Sequence, residues 1–164
     1  MELWDLYDRQ RNLVGRNHVR GKVIPDGCYH LVVNVWIRNS KGEFLISQRS
    51  ESCSANPLLW ECVGGSVIMG ENNLLGALRE VREEVGIDLS RCLGQLLSSK
   101  VIENGQYIRD VWLFEYNGPV SLKNATTDEV AQVKWMSVKQ IRKLFEAGKM
   151  VGILKYFFDE VCII

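Results

Sequence analysis

Residues 65–87, GSVIMGENNLLGALREVREEVGI, carry apolar positions at helical spacing. With Leu74 at zero and about 100° per residue, Leu78, Val81 and Val85 fall within about 40° of it and form one stripe. Glu80, Glu83 and Glu84 fall near about 240, 180 and 280°, roughly opposite. This predicts a helix that buries one side and gathers three carboxylates on the other. Asn72 or Asn73 is placed to cap its start, and Gly86 suits its C-terminus. Gly76 inside the helix costs about 1 kcal/mol relative to Ala, so close packing is expected there.

The rest of the chain alternates between strand patterns and turn signals. Leu3–Tyr7 reads as a short strand, followed by a polar turn from Asp8 to Asn12 and a Pro25-Asp26-Gly27 turn. Residues 1–29 thus predict a small strand or hairpin packed beside the main body, with too little apolar material for a core of its own. His30–Arg38 is β-branched and aromatic, and Glu43–Arg49 follows across Asn39-Ser40-Lys41-Gly42, predicting a hairpin. Ser50–Pro57 is a polar loop, and Leu58–Val63 a short strand that delivers the chain to Gly64-Gly65. Cys92–Glu103 and Gln106–Tyr116 predict two strands joined by a two-residue turn at Asn104-Gly105. Glu129–Met136 is a further strand. Ser137 caps a helix over Val138–Ala147 that ends at Gly148, and the run from Met150 to Ile164 predicts an amphipathic helix over Met150–Val161. Periodicity alone gives one domain over residues 1–164, of α+β or α/β class.

Composition places that domain among ordinary globular proteins. The chain has 164 residues, 46% of them hydrophobic and 24% charged, long enough for a sizeable core. Lys+Arg and Asp+Glu are both 20, which argues against a general nucleic-acid or membrane-surface binder. The five cysteines (28, 53, 62, 92 and 162) are odd in number and include no CxxC pair. They point to reduced thiols and a cytoplasmic location rather than to a disulfide framework or zinc site. The N-terminus lacks a basic region followed by an apolar run, and no apolar stretch reaches the ~18 residues of a membrane span.

The chemistry concentrates in the acidic face. Three carboxylates at i, i+3 and i+4 can converge, and unpaired they repel and raise one another's pKa. A hard cation removes that cost, and oxygens are the preferred ligands of Mg²⁺. A solvated acidic face is the plain alternative for three glutamates on an arbitrary helix.

A family resemblance favours the first. The segment resembles the Nudix box, G-x5-E-x7-R-E-U-x-E-E-x-G-U, at every fixed position: Gly65, Glu71, Arg79, Glu80, Val81, Glu83, Glu84, Gly86 and Ile87. The chain is therefore identified as similar to Nudix hydrolases, with the box over residues 64–87. The resemblance implies a single-domain α/β/α sandwich with a mixed sheet and a loop–helix–loop box. It implies Mg²⁺ or Mn²⁺ held by Glu80 and Glu84, by Glu83 directly or through water, and by the Gly64 carbonyl. Arg79 resembles the box arginine that orients carboxylates, and Glu71 its partner in the loop. The base differs among family members: a box glutamate such as Glu83 or Glu80, or a late-loop glutamate, here Glu129, with Glu103 a weaker choice. Arg49 lies where family members carry a phosphate-contacting arginine, and Arg38 and Arg109 are further candidates. Trp36, Trp60, Trp112 and Trp135 read first as core residues. His18 and His30 are too isolated for a metal site or a triad.

The implied activity is cleavage of a diphosphate bond in a nucleoside diphosphate linked to another moiety, or in a related small-molecule diphosphate. The N-terminal LWDLYD and the HLVVNVWIRNSKGEFLISQRS stretch resemble the isopentenyl-diphosphate isomerase branch, which isomerises without hydrolysis. Those enzymes use a cysteine where Gly65 stands here, so Cys62 reads as a small buried residue and hydrolysis is favoured. A non-catalytic nucleotide-binding module would be marked by a lost box glutamate, and none is lost. The leaving group stays open among nucleotide sugars, ADP-ribose, dinucleoside polyphosphates, oxidised nucleoside triphosphates and prenyl diphosphates. The lack of a proline near Val101 counts against ADP-ribose. Exposed Trp4 and Tyr7 would suit a homodimer contact, and a folded-back N-terminal strand explains them equally.

Overall fold

The computed structural model describes residues 1–163, apart from the side chains at positions 15 and 16. Strand β3 (His30–Arg38) is the axis of a seven-stranded mixed sheet. It runs parallel to β8 (Tyr107–Glu115) over its whole length, from His30 opposite Tyr107 to Arg38 opposite Glu115. The antiparallel β7 (Gly94–Ile102) closes that side. On the other side, β3 pairs with β6 (Val63–Ser66) from Val32 to Val35. It meets β4 (Phe44–Arg49) only at Arg38 opposite Phe44. The expected β3–β4 hairpin is therefore joined only at its base. Beyond it β4 turns to β9 (Val130–Met136) and to β5 (Trp60–Glu61). The single strand expected over 58–63 is correspondingly divided. Trp60–Glu61 pairs with β4, Cys62 makes the crossing, and Val63 joins β3. The chain bridges the two diverging strands and arrives at Gly64-Gly65 beside the middle of β3.

Alternation along β3 sorts the core onto two faces. Leu31, Val33, Val35 and Ile37 pack on one side with Ala77, Val81 and Val85 of α1 (Asn73–Val85). Trp36 faces the other side, among Ile141 of α2 (Val138–Glu146), Leu154, and Phe157 of α3 (Phe157–Glu160). The result is a sheet between helical layers, the expected sandwich. Trp36 and Phe157 lie 4.4 Å apart between ring centres and are both fully buried. Truncating a ring of that size in a packed core costs about 3–5 kcal/mol.

Helix ends follow their local signals. Asn72 Oδ1 accepts from Leu75 N at 2.9 Å, and Gly86 closes α1 at φ 69°. Ser137 and Gln140 form a reciprocal capping box at α2. The apolar stripe of α1 is rotated from the expected one. Gly76, Ala77, Val81, Glu84 and Val85 are buried, whereas Leu74 and Leu75 are 37% and 51% exposed. A Cβ on Gly76 would lie 2.9 Å from Val67 Cγ2, so this glycine lets the helix approach there, and the buried side is centred on it and its neighbours. Glu84 is thereby on the buried side, not opposite it.

Two connections also differ. The β7–β8 link is four residues long, with a 3₁₀ turn at Glu103–Gly105 and Gln106 in the left-handed region at φ 48°. Gln106 Nε2 donates to the Ile24 and Pro25 carbonyls at 3.2 and 3.1 Å, which ties it to the N-terminal segment. The expected C-terminal helix begins late because Val151 N donates to Trp60 O, prolonging strand-like pairing to Val151. A 3₁₀ segment, Gly152–Tyr156, and α3 follow, and Ile164 lies outside the described residues. No helix among the described residues is long and apolar enough to cross a membrane.

The N-terminal hairpin, β1 (Leu3–Tyr7) and β2 (Leu13–Val19), forms its own two-stranded sheet. Trp4, expected exposed, is buried and stacks on His30 at 4.0 Å with planes 8° apart. Tyr7 is half-buried against the first core cluster, so intramolecular packing accounts for both aromatics. Arg11 grips Asp110, which is fully buried and also accepts Asn73 Nδ2 at 2.7 Å. The hairpin is thus fastened to both the sheet and α1.

Burial holds the His30 imidazole down at about 4, with His18 and Arg20 adding repulsion. The unfolded chain, with an ordinary histidine near 6.5, binds this proton more readily. Stability from this residue is complete above pH 6.5 and is lost as pH falls toward 4, by up to about 3 kcal/mol. Urea unfolding of wild type and His30→Gln between pH 7 and 4 checks this: the variant should lose less stability over that interval.

Candidate active site

Strand β6 and helix α1 build the site between them. A Cβ on Gly65 would lie 2.4 Å from Glu80 Oε1, so the absent side chain leaves the room that this carboxylate fills. A Cβ on Gly64 would lie 2.4 Å from the Val33 carbonyl, which fixes glycine there for sheet packing. Glu84 is 6% exposed and its Oε2 has no hydrogen-bond partner among the described residues. Burial, then the Glu80, Glu61 and Glu129 charges, push its carboxyl well above the usual range, against a backbone hydrogen bond from Gly64. Burial likewise raises Glu80 to about 7, with Glu83 and Glu129 adding to it and Arg79 opposing.

Arg79 is the hub. Its Nε donates to Glu71 Oε1 at 2.9 Å, its Nη1 to Glu80 Oε1 at 2.9 Å and Glu83 Oε2 at 3.0 Å, and its Nη2 to the Ser66 carbonyl at 2.9 Å. One guanidinium thereby links the box loop, the helix and β6. Its bonds hold Glu80 and Glu83 turned toward it. Among the described residues no three acidic, histidine or cysteine side chains already converge as a metal-ligand set.

The late loop reaches the same place by docking on the end of α1. The Glu83 carbonyl accepts from Thr126 N at 2.9 Å and Thr127 N at 3.2 Å, and Gly86 packs closely on Asn124. Glu129 thereby lines a cavity of about 170 Å³ with Glu80, Glu83, Glu84 and Arg79. Glu2 and Arg20 of the N-terminal segment complete that wall. A second cavity of about 410 Å³ shares Arg20, Thr127 and Glu129 with the first and extends to Arg49 and Cys53. Arg49 Nη1 pairs with Glu61 Oε1 at 2.6 Å, and its Nε donates to the Ala55 carbonyl.

Of the residues named from the sequence, Glu80, Glu83, Glu84, Arg79 and Glu129 share one cavity, Gly64 lies against Glu84, and Arg49 lines the adjoining cavity. Arg38 and Arg109 line neither. Arg109 is buried on the opposite face of the sheet, 3.2 Å from Glu160 and 3.8 Å from the Tyr156 ring centre. Arg38 ends β3 two residues after Trp36, on the same strand parity, and pairs with Glu115. Both belong to the side of the sheet away from α1. Glu103 accepts Tyr29 Oη at 2.6 Å and pairs with Arg9, outside both cavities. Cys62 is 2% exposed and burial holds its thiol up. Trp36, Trp60 and Trp112 are core residues. The sequence reading did not single out Glu2, Glu61 or Arg20; the basic stretch that holds Arg20 gave no sign that the hairpin folds back onto α1.

The chain is similar to known proteins along most of its length. The family described as NUDIX domain matches residues 29–157. An uncharacterized Nudix hydrolase of Listeria innocua is 35% identical over 161 residues, covering 96% of this chain and 91% of that one. An isopentenyl-diphosphate Delta-isomerase I of Camptotheca acuminata is 27% identical, over 85% of this chain and 68% of its own. A Deinococcus radiodurans protein shares the fold with a TM-score of 0.73, at 23% identity over 92% of each chain. The MutT protein of Methanosarcina mazei Go1 superposes with a TM-score of 0.61 at 27% identity, over 80% of this chain and 91% of that one. With the box intact on β6 and α1 and the match running from Tyr29 to Phe157, the chain belongs to the Nudix hydrolase family.

Proposed function

We propose that this Nudix hydrolase is a divalent-metal-dependent pyrophosphohydrolase acting on a nucleoside diphosphate linked to another moiety. The observation that carries the reading is Glu84: a buried carboxyl group, one oxygen of which has no partner among the described residues, beside Glu80 and Glu83 and against the Gly64 backbone. Buried in this way the group carries its charge only at a cost, and a bound cation would remove that cost. The donors are all oxygens, which fits Mg²⁺ or Mn²⁺. Glu80, Glu84, Glu83 and the Gly64 carbonyl would hold the ion. Bound there, it supplies charge neutralisation at the diphosphate and a lowered pKa for water.

The protein's own groups do the rest. Arg79 holds Glu80 and Glu83 in place, and its link to Glu71 keeps the box loop on the helix. Glu129, exposed on the rim, is placed to take the proton of the attacking water, with Glu83 as the other base within the same cavity. Arg49 lines the adjoining cavity, where a phosphate oxygen can exchange for Glu61. The isomerase reading needs a thiol where Gly65 stands, and Cys62 is buried in the core with a raised pKa.

A substrate panel with Mg²⁺, followed by phosphorus NMR with and without chelator, tests the reaction. Chelator-sensitive cleavage of a nucleotide diphosphate is expected. Double-bond movement in isopentenyl diphosphate with the diphosphate intact would overturn the reading.

Two variants separate chemistry from folding. Glu84→Gln keeps the shape and removes the buried charge. Turnover should fall more than about 100-fold, since even outer partners of a metal ligand matter 10–100-fold. The thermal midpoint of the metal-free variant at pH 7.5 should match or exceed wild type, because burial already disfavours the charged form. Gly65→Ala drives a methyl into the space of Glu80 Oε1. Mn²⁺ affinity measured by paramagnetic resonance should drop by roughly 10-fold or more with the fold retained.

A further inference from the structure

We propose that Arg20, delivered by the N-terminal hairpin, is a phosphate-contacting residue that sets which diphosphates this cleft accepts. The proposal rests on the hydrolase reading of the cleft. It goes further by assigning a role to a segment that precedes the family-matched residues 29–157.

Position is the first argument. Arg20 lines both the cavity that holds Glu80, Glu83 and Glu84 and the adjoining cavity that also takes in Arg49. Any ligand spanning the two passes it. The hairpin is held there firmly: Met69 N donates to the Leu3 carbonyl at 2.8 Å, and Gly70 N to Asp5 Oδ2 at 2.9 Å. These bonds fasten β1 to the loop that leads into α1, so the hairpin and the carboxylate helix share one foundation.

Available donors are the second. A guanidinium carries five N–H donors. Arg79 has committed its own to Glu71, Glu80, Glu83 and Ser66, and Arg49 is engaged with Glu61 and Ala55. Arg20 gives one side-chain bond among the described residues, Nη1 to Glu2 Oε2 at 2.9 Å, and its side chain is 61% exposed. It meets an incoming anion with most of its fork unused and little desolvation to overcome.

Charge is the third. The smaller cavity presents five glutamates, Glu2, Glu80, Glu83, Glu84 and Glu129, against Arg20 and Arg79. A diphosphate entering it faces net repulsion, and Arg79 is already neutralised by its neighbours. The planar fork of Arg20 matches two phosphate oxygens at once. Glu2 then acts as a placeholder that holds the fork toward the cleft until a phosphate exchanges for it.

Isothermal titration of inorganic pyrophosphate with Mg²⁺ into the full chain, together with KM and kcat on the substrate found in the panel, tests this. Arg20→Ala should weaken pyrophosphate binding and raise KM roughly 10- to 100-fold, the usual worth of a charge-assisted bond, with kcat changed less. Arg20→Lys should recover part of the affinity. Glu2→Gln separates contact from scaffolding, since it breaks the same ion pair but leaves the guanidinium and removes a repelling charge. It should bind pyrophosphate at least as tightly as wild type. If Glu2→Gln weakens binding as much as Arg20→Ala, the pair is structural and the proposal is overturned. It is equally overturned if Arg20→Ala stays within twofold of wild type, or if wild type does not bind pyrophosphate. A wild type that binds pyrophosphate in an Arg20-dependent way but cleaves no diphosphate refutes the reaction and leaves the Arg20 contact standing.

Discussion

Glu84 sits on the buried side of α1 with Ala77, Val81 and Val85, and a carboxylate among such neighbours can be tolerated only if its surroundings are built for it. The two glycines of β6 are part of that construction. Gly65 leaves the volume that the Glu80 carboxylate occupies, and Gly64 brings backbone against Glu84. Gly76 closes the helix onto Val67 and so fixes which way the carboxylates point. The crossing of the chain at Cys62, between the diverging β4 and β3, sets β6 where these approaches can occur.

Arg79 sets positive charge among the carboxylates. Its guanidinium meets three carboxylates and a carbonyl, and each bond offsets repulsion that would otherwise accumulate on one helical turn. The same bonds hold Glu80 and Glu83 partly turned aside. Glu80 and Glu83 are thus engaged with an arginine, while the second oxygen of Glu84 has no hydrogen-bond partner among the described residues.

Most elements were legible because their signals are local. Asn72, Gly86, Ser137 and the alternation of β3 and β8 act over a few residues and could be read directly. The rotation of α1 was not, because it depends on Gly76 meeting Val67 from another element. Arg38 and Arg109 were misplaced for a related reason. Their parity relative to Trp36 and Leu113 is visible in the sequence, but which sheet face α1 covers is decided by packing. The box residues were legible by spacing, whereas Arg20 reaches them by a fold-back across some sixty residues of chain that no periodicity records.

The hairpin that carries Arg20 shares no ladder with the seven-stranded sheet beyond a bridge at Tyr7 and Tyr29. Its hold on the rest of the molecule comes from the stack of Trp4 on His30, the Arg11–Asp110 pair, and the bonds from Met69 N to the Leu3 carbonyl and from Gly70 N to Asp5. The helix that bears the carboxylates is locked onto the sheet, while the hairpin that carries Arg20 hangs from a handful of contacts, two of them to the very loop that leads into that helix.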